Sequence, residues 1–171
     1  MKNENDKKSV AFLVCIFTGI FLGLFVKLFV FDIVAVSGAS MEPTLKNGQK
    51  AFVNRLAYGI PVPFRSSFIV QWAFPANGDL VTYLHNDKIV VKRCAAVGGT
   101  VLEFSDESGY NLFLGGNRIP LTKSQFDMMK NYDSVPEGYI LALGDNYSES
   151  VDSRAYGFVS VKNITGKIIG K

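Results

Sequence analysis

The sequence predicts a mainly β protein, an antiparallel sandwich- or barrel-like domain carried behind one N-terminal membrane helix. Three observations lead there. Residues 10–26 form an apolar run without a charge. Beyond Asp32 the apolar residues fall in short stretches, separated by turns rich in Gly, Asn and Asp. Past the membrane run, a helical period survives for one or two turns at most, over 125–131.

Residues 9–31 as a helix would be about 34 Å long, enough to cross a bilayer core. The apolar core of a cleaved leader is shorter, about 7–15 residues. A helix packed on a soluble core is rarely apolar on every face. Lys27, near the end of the run, can snorkel to the headgroups. Cys15 makes a poor lipoprotein site, with bulky Val14 before it and little apolar sequence ahead of that. Lys2, Lys7 and Lys8 flank the N-terminal end, partly offset by Glu4 and Asp6. The positive-inside rule then puts the N-terminus in the cytoplasm.

Residues 33–36 read as a strand leaving the membrane, and 49–54 as a second short strand. Residues 58–67 carry Gly59, Pro61 and Pro63 and read as a loop. Phe68, Ile69, Val70, Trp72 and Phe74 form an aromatic-rich stretch suited to a membrane interface. Residues 79–84 and 88–96 are strands joined by the turn His85-Asn86-Asp87, and Gly98-Gly99 ends the second. Residues 101–104 and 111–114 pair around 105–109, and Gly115-Gly116-Asn117 makes the next turn. Residues 139–143 form a strand followed by the polar loop 144–154. Residues 158–161 and 164–169 close the domain.

Of 171 residues, 48% are hydrophobic. Roughly 135 residues remain after the membrane run, enough for one domain with a core. A net charge of +3 gives no basic stripe and argues against nucleic acid as a partner. Two cysteines and one histidine are too few for a zinc site built from N and S ligands, and no His-Glu-x-x-His run occurs. A bridge from Cys15 to Cys94 would join the bilayer interior to the domain outside it, so none is expected.

Three places carry side chains capable of chemistry. Ser40 lies in Ser37-Gly38-Ala39-Ser40-Met41-Glu42-Pro43-Thr44, just past the membrane run. A nucleophilic serine needs a constrained backbone and amide donors for an oxyanion. Gly38 allows close backbone approach and Pro43 stiffens the turn. Lys92 lies in a strand whose alternation puts Val90, Lys92 and Cys94 on one face. Burial of that face would lower the lysine pKa and supply a neutral amine as a base. In the loop from Gly144 to Gly157, Asp152 and Arg154 can form an ion pair, and a hydroxyl can orient an amine. Each has a plainer reading: a polar turn, a lysine guarding a sheet edge, a solvated surface loop. His85, at a hairpin tip, is poorly placed for a Ser-His-Asp triad. No Asp-Thr-Gly or Asp-Ser-Gly motif supports an aspartic-protease pair.

Taken in order, the motifs resemble a known family. The membrane run is followed by Ser40-Met41-Glu42-Pro43-Thr44-Leu45, then Gly78-Asp79-Leu80-Val81, then Val91-Lys92-Arg93. Gly144-Asp145-Asn146 and Ser150-Val151-Asp152-Ser153-Arg154 complete the series. The chain is similar to bacterial type I signal peptidases, membrane-bound serine proteases with a Ser-Lys dyad. The resemblance implies Ser40 as nucleophile, Lys92 as general base and Ser150 as the hydroxyl that orients the amine. It implies structural support from Asp145, Asn146, Asp152 and Arg154. It implies shallow pockets for small side chains, lined by Val34, Val36, Met41, Leu45 and Val91. The implied substrates are the signal peptides of secretory precursors, and no metal or cofactor is implied.

The expected layout is a cytoplasmic tail (1–8), a transmembrane anchor (9–31) and a β-rich catalytic domain (32–171). A small accessory subdomain falls at about 98–138. The expected location is the bacterial cytoplasmic membrane, spanned once, with the catalytic domain on its outer face and the bilayer itself as a partner. The oligomeric state is not legible. The chain departs from the family in two places. Ala96-Val97-Gly98-Gly99-Thr100 keeps only Gly99 of the usual Gly-x-Pro-Gly-Asp turn. Gly38 stands where some members carry an oxyanion hydroxyl, leaving the Ser40 amide, with Ser37 as a second candidate. Two other readings stand beside this one. One is a pilin-processing or self-cleaving Ser-Lys peptidase, and the other an inactive relative that binds signal segments.

Overall fold

The computed structural model describes residues 2–62 and 67–170. Helix α1 covers Lys2–Phe25, and Val26–Val30 widen into a π turn closed by the Phe31 amide on the Val26 carbonyl. The stretch Lys7–Val30 is long and apolar enough to cross a membrane, with a mean hydropathy of 2.6 and none of it covered by protein. The span ends one residue before the expected boundary because Phe31 is already paired in a strand.

The strands follow in order: β1 Phe31–Ala35, β2 Lys50–Asn54, β3 Gly59–Pro61, β4 Phe68–Gln71, β5 Leu80–His85 and β6 Lys88–Val97. Then come β7 Glu103–Ser105, β8 Asn111–Leu114, β9 Asn117–Pro120, helix α2 Lys123–Met129 and β10 Tyr139–Leu143. Helix α3 Ser153–Tyr156, β11 Val159–Ser160 and β12 Ile164–Gly170 complete the chain. The main sheet has seven strands in the order β1-β2-β12-β5-β6-β10-β11. Two small sheets, β3-β4 and β7-β8-β9, accompany it, and every strand pair is antiparallel. The mainly antiparallel β class expected from the sequence is the class observed.

The differences from the expected elements have local causes. The stretch 58–67 is not all loop, since Gly59–Pro61 pairs with β4. Gly59 suits that pairing because a Cβ there would overlap the Val70 carbonyl. Pro63, in the rest of the expected loop, lies outside the described residues. Strand β9 was not expected; the turn is tighter than the sequence suggests, and Asn117 already pairs with Leu114. Only Ile119 of β9 is buried, too little for a visible alternation. Helix α2 starts earlier than 125 because Thr122 caps it. Its hydroxyl accepts from the Gln125 amide, and the Gln125 side chain accepts from the Thr122 amide.

The core fills both faces of β10. Leu141 and Leu143 join Leu112, Ile119 and Met129 on one side, and Ile140 and Ala142 join Tyr83, Cys94 and Ile164 on the other. A third cluster of Val36, Met41, Leu45, Ala51, Val53 and Ile168 lies beneath β1 and β2. Outside the core Ile69, Val70, Trp72 and Phe74 are all exposed.

Candidate active site

Alternation along β6 decides the fate of Lys92. Its side chain shares a face with buried Cys94 and Ala96 and is itself only 3% exposed. The amine donates to Ser150 Oγ at 2.8 Å. Burial lowers its pKa, the Asp152 and Asp145 charges partly oppose this, and Arg154 reinforces it; the net shift is downward.

Ser150 is held from the other side by Asp152, whose carboxylate hydrogen-bonds the Ser150 hydroxyl. With that proton committed to Asp152, the Ser150 oxygen is left to accept from Lys92. Asp152 is fully buried. It accepts from Arg154 Nε and Nη2 at 2.9 Å each, from the Gly144 amide at 3.0 Å and from the Arg154 amide at 3.1 Å. Burial alone would raise the Asp152 carboxyl, but these donors outweigh it and hold the group below the usual carboxylate range. Arg154 also donates to the carbonyls of Tyr147 (2.9 Å) and Ser150 (3.3 Å), so one guanidinium ties the loop together.

The nucleophile candidate sits on the turn after β1. That turn is built by Glu42 N to Ala39 O (3.1 Å) and Leu45 N to Met41 O (2.8 Å), and Gly48 N to Val36 O (2.8 Å) closes the loop beneath it. The Ser40 amide has no hydrogen-bond partner among the described residues, as an oxyanion donor requires. Gly38 has a φ of 86° and open space where a Cβ would stand. The glycine is therefore needed for backbone sign, and the close approach expected there is absent. Close approach occurs at Gly144, which the sequence does not single out. A Cβ there would overlap the Ser150 hydroxyl and the Ser40 carbonyl. The Asn146 amide donates to that same carbonyl at 3.0 Å, so the loop after β10 clamps the Ser40 turn.

On the opposite face of β6, Arg93 grips Asp145 through Nε at 2.7 Å and Nη2 at 2.6 Å. It also reaches the Thr44 hydroxyl at 3.3 Å and the Gly78 carbonyl at 2.9 Å. Burial would raise Asp145, but Arg93 and Thr44 outweigh it and the carboxyl lies low.

Ser40 and Lys92 open onto one groove of about 590 Å³. Val34, Val36, Met41 and Val91 line it, as expected, together with Ser37, Gly38, Glu149 and Val151. Leu45 does not: it is fully buried behind the wall, packed with Met41 and Val36. Its place in the Met-Glu-Pro-Thr-Leu turn carries the side chain inward. Glu149 and Val151 had no signal in the sequence, since only the fold of the 144–154 loop brings them here. Strand β1 ends the main sheet, and β6 meets β10 only from Arg93 onward. The groove is thus flanked by two free strand edges.

His85 is not at a free tip. It closes β5 opposite Lys88, and the turn is Asn86-Asp87 with φ of 49° and 60°. Its ring stacks on Tyr156 at 4.0 Å. It stands four residues along β5 from Val81, the partner of Lys92, or ~13 Å away at strand rise. Among the described residues no group of His, Cys, Asp and Glu is arranged to hold a metal ion, and both cysteines are free.

Comparison with known proteins agrees with this arrangement. Residues 9–170 match the family described as signal peptidase, peptidase S26. Signal peptidase I of Bacillus caldolyticus is 31% identical over 155 residues, covering 81% of this chain and 78% of the relative. Signal peptidase I of Aquifex aeolicus (strain VF5) is 28% identical over 192 residues, covering 77% and 72%. A crystal structure of a signal peptidase I from Enterococcus faecalis V583 shares 24% identity at a TM-score of 0.41, covering 57% of this chain and 98% of that one. On the extent of the family match, this chain belongs to the signal peptidase family, peptidase S26.

Proposed function

We propose that the protein is a membrane-anchored serine endopeptidase that removes N-terminal signal peptides from exported proteins through a Ser40–Lys92 dyad. The observation that carries this reading is the buried Lys92 amine, bonded to Ser150 and opening with Ser40 onto one groove. A lysine kept from water is neutral at a lower pH than usual and can take the serine proton. Ser40 Oγ then attacks the substrate carbonyl, and the developing oxyanion meets the Ser40 amide. Lys92 returns the proton to the leaving amine. In the second half of the reaction Lys92 deprotonates water, which hydrolyses the acyl-enzyme. Ser150 holds the amine in line, and the Asp152–Arg154 pair holds Ser150.

The free edges of β1 and β6 suit an extended substrate that adds as a strand, with small side chains directed at Val36, Met41 and Val91. The α1 span anchors the chain once in the bacterial cytoplasmic membrane, with Met1 inside and the β domain on the outer face. The exposed aromatic stretch after β4 rests against the bilayer interface.

Incubation of the detergent-solubilised protein with a secretory precursor tests the reading. Cleavage after a small residue, located by mass spectrometry, is expected. Binding without turnover would point instead to a signal-segment-binding relative. Protease added to spheroplasts should digest the domain; protection until the membrane is broken would reverse the orientation.

A further inference from the structure

The membrane span enters the groove without a linker. It ends at Val30, Phe31 already pairs with Asn54, and the groove lining begins at Asp32. Several bonds fix this junction. The Phe31 amide closes the π turn on Val26. The Arg55 amide donates to the Val30 carbonyl at 2.9 Å. The Arg55 guanidinium meets the Asp32 carboxylate at 3.4 Å, with side chains 17% and 22% exposed. The other Asp32 oxygen accepts the Ile33 amide at 2.8 Å. Amides alternate in direction along a strand. The Val36 amide turns inward to Gln49, so those of Ile33, Ala35 and Ser37 face the free edge. Asp32 therefore occupies the outermost amide that an added strand could use.

We propose that this junction is a measuring device. Arg55 is a positioning residue that holds Ser40 at a fixed distance from the membrane span. The bond cut is then chosen by its distance from the end of the substrate's apolar core as well as by its neighbouring side chains. The inference rests on the signal-peptide reading above. A substrate leaving the same bilayer runs parallel to β1 toward Ser40. From Val30 to Val36 is ~20 Å at strand rise, a length covered by about six substrate residues. Shallow apolar pockets separate side chains by only ~1–3 kcal/mol per methylene. Two Ala-rich sites in tandem look alike to such pockets, and only distance separates them.

The test uses the full chain in liposomes and a precursor carrying Ala-x-Ala motifs three, six and nine residues past its apolar core. Cuts are located by mass spectrometry. The unaltered protein should prefer the middle site by roughly tenfold. Two serines inserted between Val30 and Phe31 should move the preference to the far site. Arg55→Ala should spread cuts over all three sites, and Arg55→Lys should restore the preference. All variants should hydrolyse a short Ala-x-Ala peptide in detergent at the parent rate. An unchanged cut pattern in the insertion and Arg55→Ala variants, or equal cutting at all three sites by the parent, overturns the proposal. Should a variant lose the short-peptide activity too, the unaltered protein is given single-motif precursors of each spacing, and a flat rate across spacings overturns it. A parent that cuts no precursor refutes the signal-peptidase reading itself, a separate outcome.

Discussion

The two walls of the groove are built in opposite ways. The wall that carries Lys92 is closed: Asp152 and Arg154 are 0% and 3% exposed, and their donors and acceptors are matched to one another and to loop carbonyls. The wall that carries Ser40 is open. Strand β1 alternates between exposed and half-buried residues and ends its sheet, and the Ser40 amide is free among the described residues. A base that must stay neutral needs dry, rigid surroundings. A nucleophile that must meet a peptide strand needs an unfilled edge and an unfilled donor. The contrast teaches that satisfaction and vacancy are placed according to what each half must do.

The largest expected effects come from breaking each half at its centre. Ser40→Ala and Lys92→Met should each lower precursor cleavage by about a thousandfold or more. Lys92→Met should also hold or raise the melting temperature, since it removes a desolvated amine from the closed wall. His85→Ala should leave cleavage nearly unchanged. Substantial activity in the Lys92 variant, measured by precursor processing, would remove the proposed base.

Next in size is the support of the closed wall. Arg154→Ala leaves the Asp152 charge buried without its partner, which typically costs about 3–5 kcal/mol. Denaturant unfolding should show a lower midpoint at unchanged slope. No equivalent residue exists on the open wall, so Ser37→Ala should change stability little. A small effect of Arg154→Ala would mean that the two walls do not differ as described.

The pH response sharpens the same contrast. Activity requires neutral Lys92, so it should rise with pH along a limb whose midpoint lies below the usual lysine value of ~10.4. Stability follows the same sign. Below the unfolded lysine pKa the unfolded chain holds this proton more tightly, so the cost of the buried amine is present at neutral pH. It fades as pH rises from the folded pKa toward ~10.4. Asp145 and Asp152 act oppositely. Their folded pKa values are depressed, so their stabilisation is present above ~3.9 and is lost as pH falls through the folded values. A rate profile with its only limb near ~6.5 would indicate histidine. Ser150→Ala should lower the plateau by loosening the amine.

The smallest expected effect lies in the open wall. Val36→Ala or Val91→Ala should enlarge the pocket and admit larger residues before the bond, at ~1–3 kcal/mol per methylene. Added cleavage sites in a precursor series carrying Ala, Val, Leu and Phe would show this. Leu45→Ala should act differently. That side chain lies in the core behind the pocket, so the expected result is loss of stability with selectivity kept.

Much of this was legible in the residues themselves. The membrane span follows from unbroken apolarity, most strands from alternation and turn residues, and the place of Lys92 on a buried face from β6's period of two. Strand β9 and the β3–β4 pair escaped notice because each is short and held by a partner strand. The role of Gly144 escaped too, because nothing in Leu143-Gly144-Asp145 tells that another turn's carbonyl lies against it. Leu45 was assigned to the groove by its nearness to Ser40 in sequence, yet a single turn was enough to send it inward. Periodicity is a property of one segment and survives in the sequence alone. The bond from Lys92 to Ser150, the Asn146 amide on Ser40 and the two free edges join residues far apart in the chain. Only the closing of the sheet brings them together, because burial and hydrogen bonding depend on which surfaces meet and not on order along the backbone.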